Sequence, residues 1–191
     1  PGKHNVLNAL AAIAIGVELD VAVVAMKNAL ANFNGVGRRF NLYPAMVSKH
    51  NTFTLVDDYA HHPTEIAAAI AACREGWPNS RLVLAFQPHR YSRTRDLYDD
   101  FADVLNQVDE LIVSEVYAAG EAVISGATAI DLCKSVRHRG KIEPVYVSQV
   151  REMPQALSGL VQQNDVVLMV GAGSIGAVIQ DIVANKGVGN E

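Results

Sequence analysis

Leu82-Val83-Leu84-Ala85-Phe86-Gln87-Pro88-His89-Arg90-Tyr91-Ser92-Arg93-Thr94-Arg95-Asp96 decides the fold. The stretch opens on an apolar run of strand length, passes through a polar loop, and enters a helical pattern over Thr94 to Gln107. Upstream, Phe53 to Asp57 does the same, leading through Asp58-Tyr59-Ala60-His61-His62 into a helix over Pro63 to Arg74. Both loops are therefore expected at the carboxyl ends of strands, the edge at which open α/β sheets bind ligands.

Working outward, further strands are expected over Phe40 to Val47, Leu111 to Ser114, Val145 to Val147 and Val166 to Val170. Further helices are expected over Ala129 to Arg137, Val150 to Val161 and Ile175 to Ala184. Strands alternating with helices imply an α/β fold, a mostly parallel sheet with helices on both faces. The first strand, followed by a short turn at His50-Asn51, is expected as one antiparallel edge strand. The tail from Lys186 to Asn190 is expected to fray. Before the sheet, His4 to Gly16 carries Leu7, Leu10, Ala11 and Ala14 on one stripe, and Val21 to Ala31 reads as a second helix with Asp20 as its N-cap. The period changes at Gly35-Val36-Gly37-Arg38-Arg39, so a boundary is expected there, with residues 1–36 and 37–191 in different domains. Two helices cannot bury their own apolar stripes, and the chain opens on Pro1 rather than Met. Both features lead to the expectation of a fragment.

Half of the residues are apolar, enough for a core, and the net charge of −4 argues against nucleic acid as the main partner. No apolar stretch is long enough for a membrane span, because Asn8, Glu18 and Asp20 interrupt the longest. Cys73 and Cys133 lack metal-ligand spacing and are expected as buried, reduced thiols of a cytoplasmic protein.

Positive charge is local, in Arg90, Arg93 and Arg95. Guanidinium groups after a strand suit a carboxylate or phosphate, although Asp96, Asp99 and Asp100 are close enough to make the run an ordinary solvated surface. In the upstream loop, adjacent residues of extended chain point to opposite sides, so only one of Asp57 and Asp58 is expected to face a ligand. His61 and His62 are alternatively helix caps, and they form a poor metal pattern. Gly171-Ala172-Gly173-Ser174-Ile175-Gly176 has the G-x-G-x-x-G spacing of a dinucleotide loop. Too little chain follows it for the next strand and its acidic residue, so close helix–strand packing is the favoured reading. Asn5 and Asn8, one helical turn apart, suit a flat polar group such as a purine edge, or a cap. His50 and His138 read as surface residues.

Three segments together resemble a known family: Gly2-Lys3-His4-Asn5-Val6-Leu7-Asn8-Ala9-Leu10-Ala11-Ala12, Gly35-Val36-Gly37-Arg38-Arg39-Phe40 and Asp57-Asp58-Tyr59-Ala60-His61-His62-Pro63-Thr64-Glu65. They are similar to the Mur ligases of peptidoglycan synthesis. The one departure is Ala60, where many relatives would carry Gly. The resemblance implies a Rossmann-like carboxyl-terminal domain preceded by a helical remnant of the central ATPase domain. It also implies ATP-driven amide formation through an acyl phosphate, with Mg2+ bound mainly by the central domain. Phe86 to Asp96 narrows the implied reaction to joining L-alanine to UDP-N-acetylmuramate, with the enzyme's own N-terminal and central domains as partners.

On the same resemblance, Asn5 and Asn8, with His4 beside them, contact adenine, and Arg39 and Asp58 contact ribose or phosphate. Tyr59, His61, His89, Arg90 and Arg93 then form the amino-acid side, with His61 as the candidate catalytic group managing the amine proton. No G-x-x-x-x-G-K-[ST] phosphate loop is found in the sequence, so the chain alone is expected to be inactive. Two alternatives stay open: a ligase that recycles muropeptides by joining a tripeptide to the same sugar nucleotide, and a nucleotide-binding module without ligase activity.

Overall fold

The structure, a computed structural model, describes residues 3–33 and 37–189, the first two by backbone alone. Gly35 and Val36 of the expected boundary and the side chain of His4 lie outside the described residues. The sheet is built from β1 (Asn41–Ser48), β2 (Asn51–Asp58), β3 (Leu82–Phe86), β4 (Glu110–Ser114), β5 (Val145–Val147), β6 (Val166–Val170) and β7 (Gly187–Val188), in the order β5-β4-β3-β6-β2-β1-β7. All neighbours run parallel except β1 and β2. The helices are α1 (Lys3–Glu18), α2 (Val23–Ala31), α3 (Pro63–Gly76), α4 (Tyr91–Asp96), α5 (Tyr98–Leu105), α6 (Ala129–His138), α7 (Met153–Leu160) and α8 (Ile175–Ala184), with a 3₁₀ turn over Val150–Glu152.

Period-two alternation divides the core between the faces of the sheet. Leu82, Leu84 and Phe86 of β3 meet Ile66 and Ile70 of α3, Phe101 of α5 and Leu132 of α6. Val83 and Ala85 meet Met153 and Leu157 of α7 and Ile175, Ile179 and Ile182 of α8. Both β3 and β6 are buried at every residue, which is why their sequences read as unbroken apolar runs. Each buried Leu or Ile contributes about 2–3 kcal/mol of transfer free energy. Cys73 and Cys133 lie in this core, as expected, and burial pushes their thiols up to about 12 and about 11, so neither supplies a thiolate.

Four expectations differ from the structure in detail. β1 is antiparallel, as expected, but β7 pairs beyond it, so the tail begins with a strand rather than fraying there. A two-residue strand has no period for sequence to reveal. Asp20 does not cap α2, whose N-cap is Ala22; it stands at φ 55° in the turn after α1, a left-handed position that a short polar side chain tolerates. The helix expected from Thr94 starts at Tyr91 and breaks at Leu97, where φ is −118°. The helix expected from Val150 starts at Met153, with Pro154 in its first turn where no amide donor is required.

Helices α1 and α2 pack on each other. Their large apolar residues remain exposed, including Val6, Leu7, Leu10 and Ile15 of α1 and Val23 and Val24 of α2. Among the described residues, no helix is long and apolar enough to cross a membrane.

At Gly187 a Cβ atom would run into the carbonyl oxygen of Val47, so β7 reaches β1 only with glycine there. Gly187→Ala is expected to cost about 1–3 kcal/mol, the scale of an overpacked contact. A urea titration that matches the wild type would contradict this pairing.

Candidate active site

Strand β2 delivers two carboxylates of opposite facing, and neither is presented to solvent. Asp57 is fully buried and takes the Nε of Arg38 at 3.1 Å. Burial pushes its carboxyl up, and Arg38 offsets this only in part. Asp58 turns to the other face, where Oδ2 accepts from the Phe40 amide and Oδ1 from the Ala60 amide, both at 2.8 Å. Asp58 therefore shapes the loop that carries Tyr59. The Ala60 departure is harmless to the backbone, since Ala60 is absent from the positive-φ residues.

The next turn separates the two histidines. His62 is the N-cap of α3, accepting from the Thr64 amide at 3.3 Å, while Glu65 accepts from the amides of His61 and His62. The capping reading thus holds for His62. His61 projects into a cleft instead. Its Nδ1 lies 3.1 Å from the Tyr59 carbonyl and 3.5 Å from Glu65 Oε2. Two acceptors at Nδ1 place the proton there, leaving the Nε2 lone pair toward the cleft when the ring is neutral.

Strand β3 supplies the facing wall. Arg90 sits at φ 72° at the junction with α4, and its amide donates to the Tyr117 carbonyl at 2.8 Å. Arg90 also pairs with Glu121 at 3.8 Å, and Glu121 takes the amide and hydroxyl of Ser92. Arg93 Nη1 lies 3.2 Å from both Nδ1 and the carbonyl oxygen of His89. A guanidinium only donates, so Nδ1 of His89 accepts and its proton resides on Nε2. Arg95 pairs with Asp96 at the surface, so the solvated reading was right for that arginine.

Between these walls lies the loop after β6. The Gln87 side chain occupies its helix start, Oε1 accepting from the Ile175 amide at 2.8 Å and Nε2 donating to Ser174 Oγ at 3.1 Å. A Cβ at Gly173 would stand 2.7 Å from Gln87 Oε1 and from Tyr117, and one at Gly176 would stand 2.8 Å from Arg38 Nη1. Packing accounts for this G-x-G-x-x-G spacing, and Gln87 blocks the anion position that a dinucleotide would need.

Tyr59, His61, His89, Arg90 and Arg93, all singled out in the sequence, line one cleft of about 630 Å³ together with Ser92, Asp96, Leu97 and Ala172. The rings form a row: Tyr59 to His61 at 5.4 Å, His61 to His89 at 6.1 Å, and His89 to Tyr117 at 5.3 Å. Arg39 is exposed with its guanidinium 5.8 Å from the Tyr59 ring, adjoining the cleft. Asn5 and Asn8 are not in the lining. Among the described residues no group of three His, Cys, Asp or Glu is arranged to hold a metal ion. Sequence reading passed over Arg38, Glu121 and Tyr117, which touch the site only through partners distant in the chain.

The family model for the Mur ligase glutamate ligase domain matches residues 38–173, and the chain belongs to that family. It is 59% identical over 179 residues to the UDP-N-acetylmuramate–L-alanine ligase of Burkholderia thailandensis, covering 93% of this chain and 38% of that protein. The same-named ligase of Burkholderia mallei is 58% identical, with the same coverage. The crystal structure of the UDP-N-acetylmuramate–alanine ligase of Thermotoga maritima aligns with a TM-score of 0.74 at 34% identity, over 97% of this chain and 38% of that one. A murein peptide ligase from Psychrobacter arcticus shares the fold, with a TM-score of 0.65 at 21% identity over 97% of this chain and 37% of that one. The chain thus spans about 38% of the length of the curated relatives it matches.

Burial first, then the neighbouring Arg93, His61 and Arg90, lowers the His89 pKa from its ordinary 6.5. The folded state therefore prefers neutral His89: this contribution to stability is present above pH 6.5 and is lost as pH falls through the folded-state value. Histidine-selective ¹⁵N NMR is expected to give His89 a midpoint below 6.5 with the proton on Nε2. A midpoint at or above 6.5 would contradict the Arg93 contact.

Proposed function

We propose that this chain is the carboxyl-terminal part of an ATP-dependent ligase that joins L-alanine to UDP-N-acetylmuramate in peptidoglycan synthesis, in the cytoplasm. The observation that carries the reading is the pairing of Arg90 and Arg93 with His61 in one cleft, in a chain 59% identical to such a ligase. A zwitterionic amino acid needs a fork for its carboxylate and an acceptor for the proton its ammonium must lose. The guanidinium groups supply the first. His61 Nε2 supplies the second, releasing the free amine to attack the acyl phosphate of the muramate.

In this reading residues 1–36 belong to the central ATP-binding domain and residues 37–191 form the Rossmann-like domain that closes over the shared site. Exposed Arg39 suits a phosphate of ATP, and Asn5 and Asn8 the adenine. Asp58 contributes by holding the loop that carries Tyr59, its two oxygens being taken by backbone amides. The ligands for Mg2+ come from the rest of the full-length protein, and the chain by itself gives no turnover.

Phosphate release by the full-length protein with ATP, magnesium and UDP-N-acetylmuramate is expected to depend on L-alanine and not on a tripeptide acceptor. Turnover with the tripeptide alone would overturn the substrate and move the protein to muropeptide recycling. Arg93→Ala removes a charge-assisted contact, so the KM for L-alanine is expected to rise on the order of ten- to a hundredfold, with the KM for ATP little changed. An unchanged alanine KM would remove Arg93 from that role.

A further inference from the structure

Tyr117 lies in the loop after β4, outside the cleft lining, and the residue is 40% exposed. A ring so placed adds little to the core, yet its position is determined from three sides. Its amide donates to the Pro88 carbonyl and its carbonyl accepts from the Arg90 amide, both at 2.8 Å, extending the pairing of β3 with β4 past the strand ends. Its Cβ and Cγ stand 2.7 Å from where a Cβ at Gly173 would be. Its ring stacks on His89, with planes 19° apart.

The orientation of His89 matters because its two nitrogens differ. With Nδ1 toward Arg93, an acceptor meets a donor. Turned over, the ring would put its Cδ2–H, which accepts nothing, against a guanidinium that only donates. Stacking on a flat neighbour restrains ring tilt and displacement, which keeps Nδ1 in line with Nη1. The charged and titratable groups that face His89 are Arg93, His61, Arg90 and Glu121. Arg93 and Arg90 among these only donate, so the Nδ1 lone pair finds its partner on the side it now faces.

We propose that Tyr117 is a positioning residue for the amino-acid site: seated against Gly173, its ring holds His89 with Nδ1 toward Arg93 and thereby sets the guanidinium that receives the amino-acid carboxylate. The proposal rests on the reading of the cleft as an amino-acid site. Relative to that reading it adds a residue that never touches the substrate.

The test uses the full-length enzyme with Tyr117→Leu and Tyr117→Phe. Leucine keeps the two carbons that pack on Gly173 and removes the ring; phenylalanine keeps the ring and removes only the hydroxyl. Tyr117→Leu is expected to raise the KM for L-alanine roughly three- to tenfold, the scale of one aromatic stacking contact, with the KM for ATP unchanged. Tyr117→Phe is expected to behave as wild type. In histidine-selective ¹⁵N spectra of the same protein, the leucine variant should lose the Nε2–H preference at His89 and the phenylalanine variant should keep it.

Should the leucine variant fold poorly, Tyr117→Met, which keeps the same two carbons, is read in its place. An unchanged alanine KM together with an unchanged His89 spectrum would overturn the proposal. So would equal rises in the alanine and ATP KM values, which would mark a merely structural role. If the wild-type enzyme does not use L-alanine, the amino-acid reading fails by that result alone. The His89 spectrum then decides whether Tyr117 holds the ring.

Discussion

The guanidinium of Arg38 is the contact on which the rest of the site depends. One side chain bonds the buried carboxylate of Asp57, donates at 2.7 Å to the Gly171 carbonyl, and lies 5.4 Å from the Tyr59 ring. Its own carbonyl accepts from the Tyr59 amide at 2.7 Å. The chain entering β1, the end of β2 and the loop after β6 are tied together at one point. Breaking a buried pair by removing one partner costs about 3–5 kcal/mol, and the partial exposure of Arg38, 19%, puts this pair toward the lower end. Burial still outweighs Arg38 in raising the Asp57 pKa. The pair is accordingly better understood as fixing geometry than as adding stability. The geometry it fixes is that of Tyr59 on one wall and Ala172 on the floor.

The other end of the sheet is closed in the same way. Arg81 makes a two-pronged contact with Asp165, reaches Glu110 at 3.1 Å, and donates to the Leu160 carbonyl at 2.6 Å. This ties the amino ends of β3, β4 and β6. At the carboxyl end the charges are divided otherwise. Asp57 and Asp58 turn inward, Glu121 is held by Ser92 and Arg90, and Arg93 bonds only neutral groups of His89. The positive φ of Arg90 belongs to this arrangement, because it turns β3 into α4 without a longer loop. Such a conformation costs about 1–3 kcal/mol and persists where surrounding contacts over-determine it. Here the Tyr117 carbonyl and Glu121 provide those contacts.

Much of this was legible in the sequence, and the limits have physical causes. Unbroken apolar runs gave β3 and β6, because strands buried on both faces need no polar alternation. The polar segments after β2 and β3 announced the cleft, and Tyr59, His61, His89, Arg90 and Arg93 do meet there. The glycine loop was rightly set aside as packing, since Gly173 abuts Gln87 and Tyr117. Other features were not readable. Alternation correctly put Asp57 and Asp58 on opposite faces but could not show that backbone amides and Arg38 claim both. The contacts of Arg38 with Gly171 and of Tyr117 with His89 join residues far apart in the chain, and no local period encodes such a pairing. The two residues of β7 are too few to carry any pattern.

The two histidines of the cleft differ in what they can do, and the difference follows from their neighbours. Their rings are 6.1 Å apart. Two positive charges at that separation repel by about 3 kcal/mol at an effective dielectric near 20, before Arg90 and Arg93 are counted. The cleft therefore disfavours charging both. His89 is the one held toward the neutral form: burial and the guanidinium groups of Arg93 and Arg90 oppose its protonation, and its Nδ1 lone pair is engaged by Arg93. His61 has Nδ1 against the Tyr59 carbonyl and Glu65, which leaves Nε2 on the cleft side. The proposed reaction sends the proton of an incoming ammonium to His61 and not to His89. Under the proposed reaction the pair divides the work, one imidazole aligning the arginine that holds the amino acid, the other receiving the proton that frees its amine.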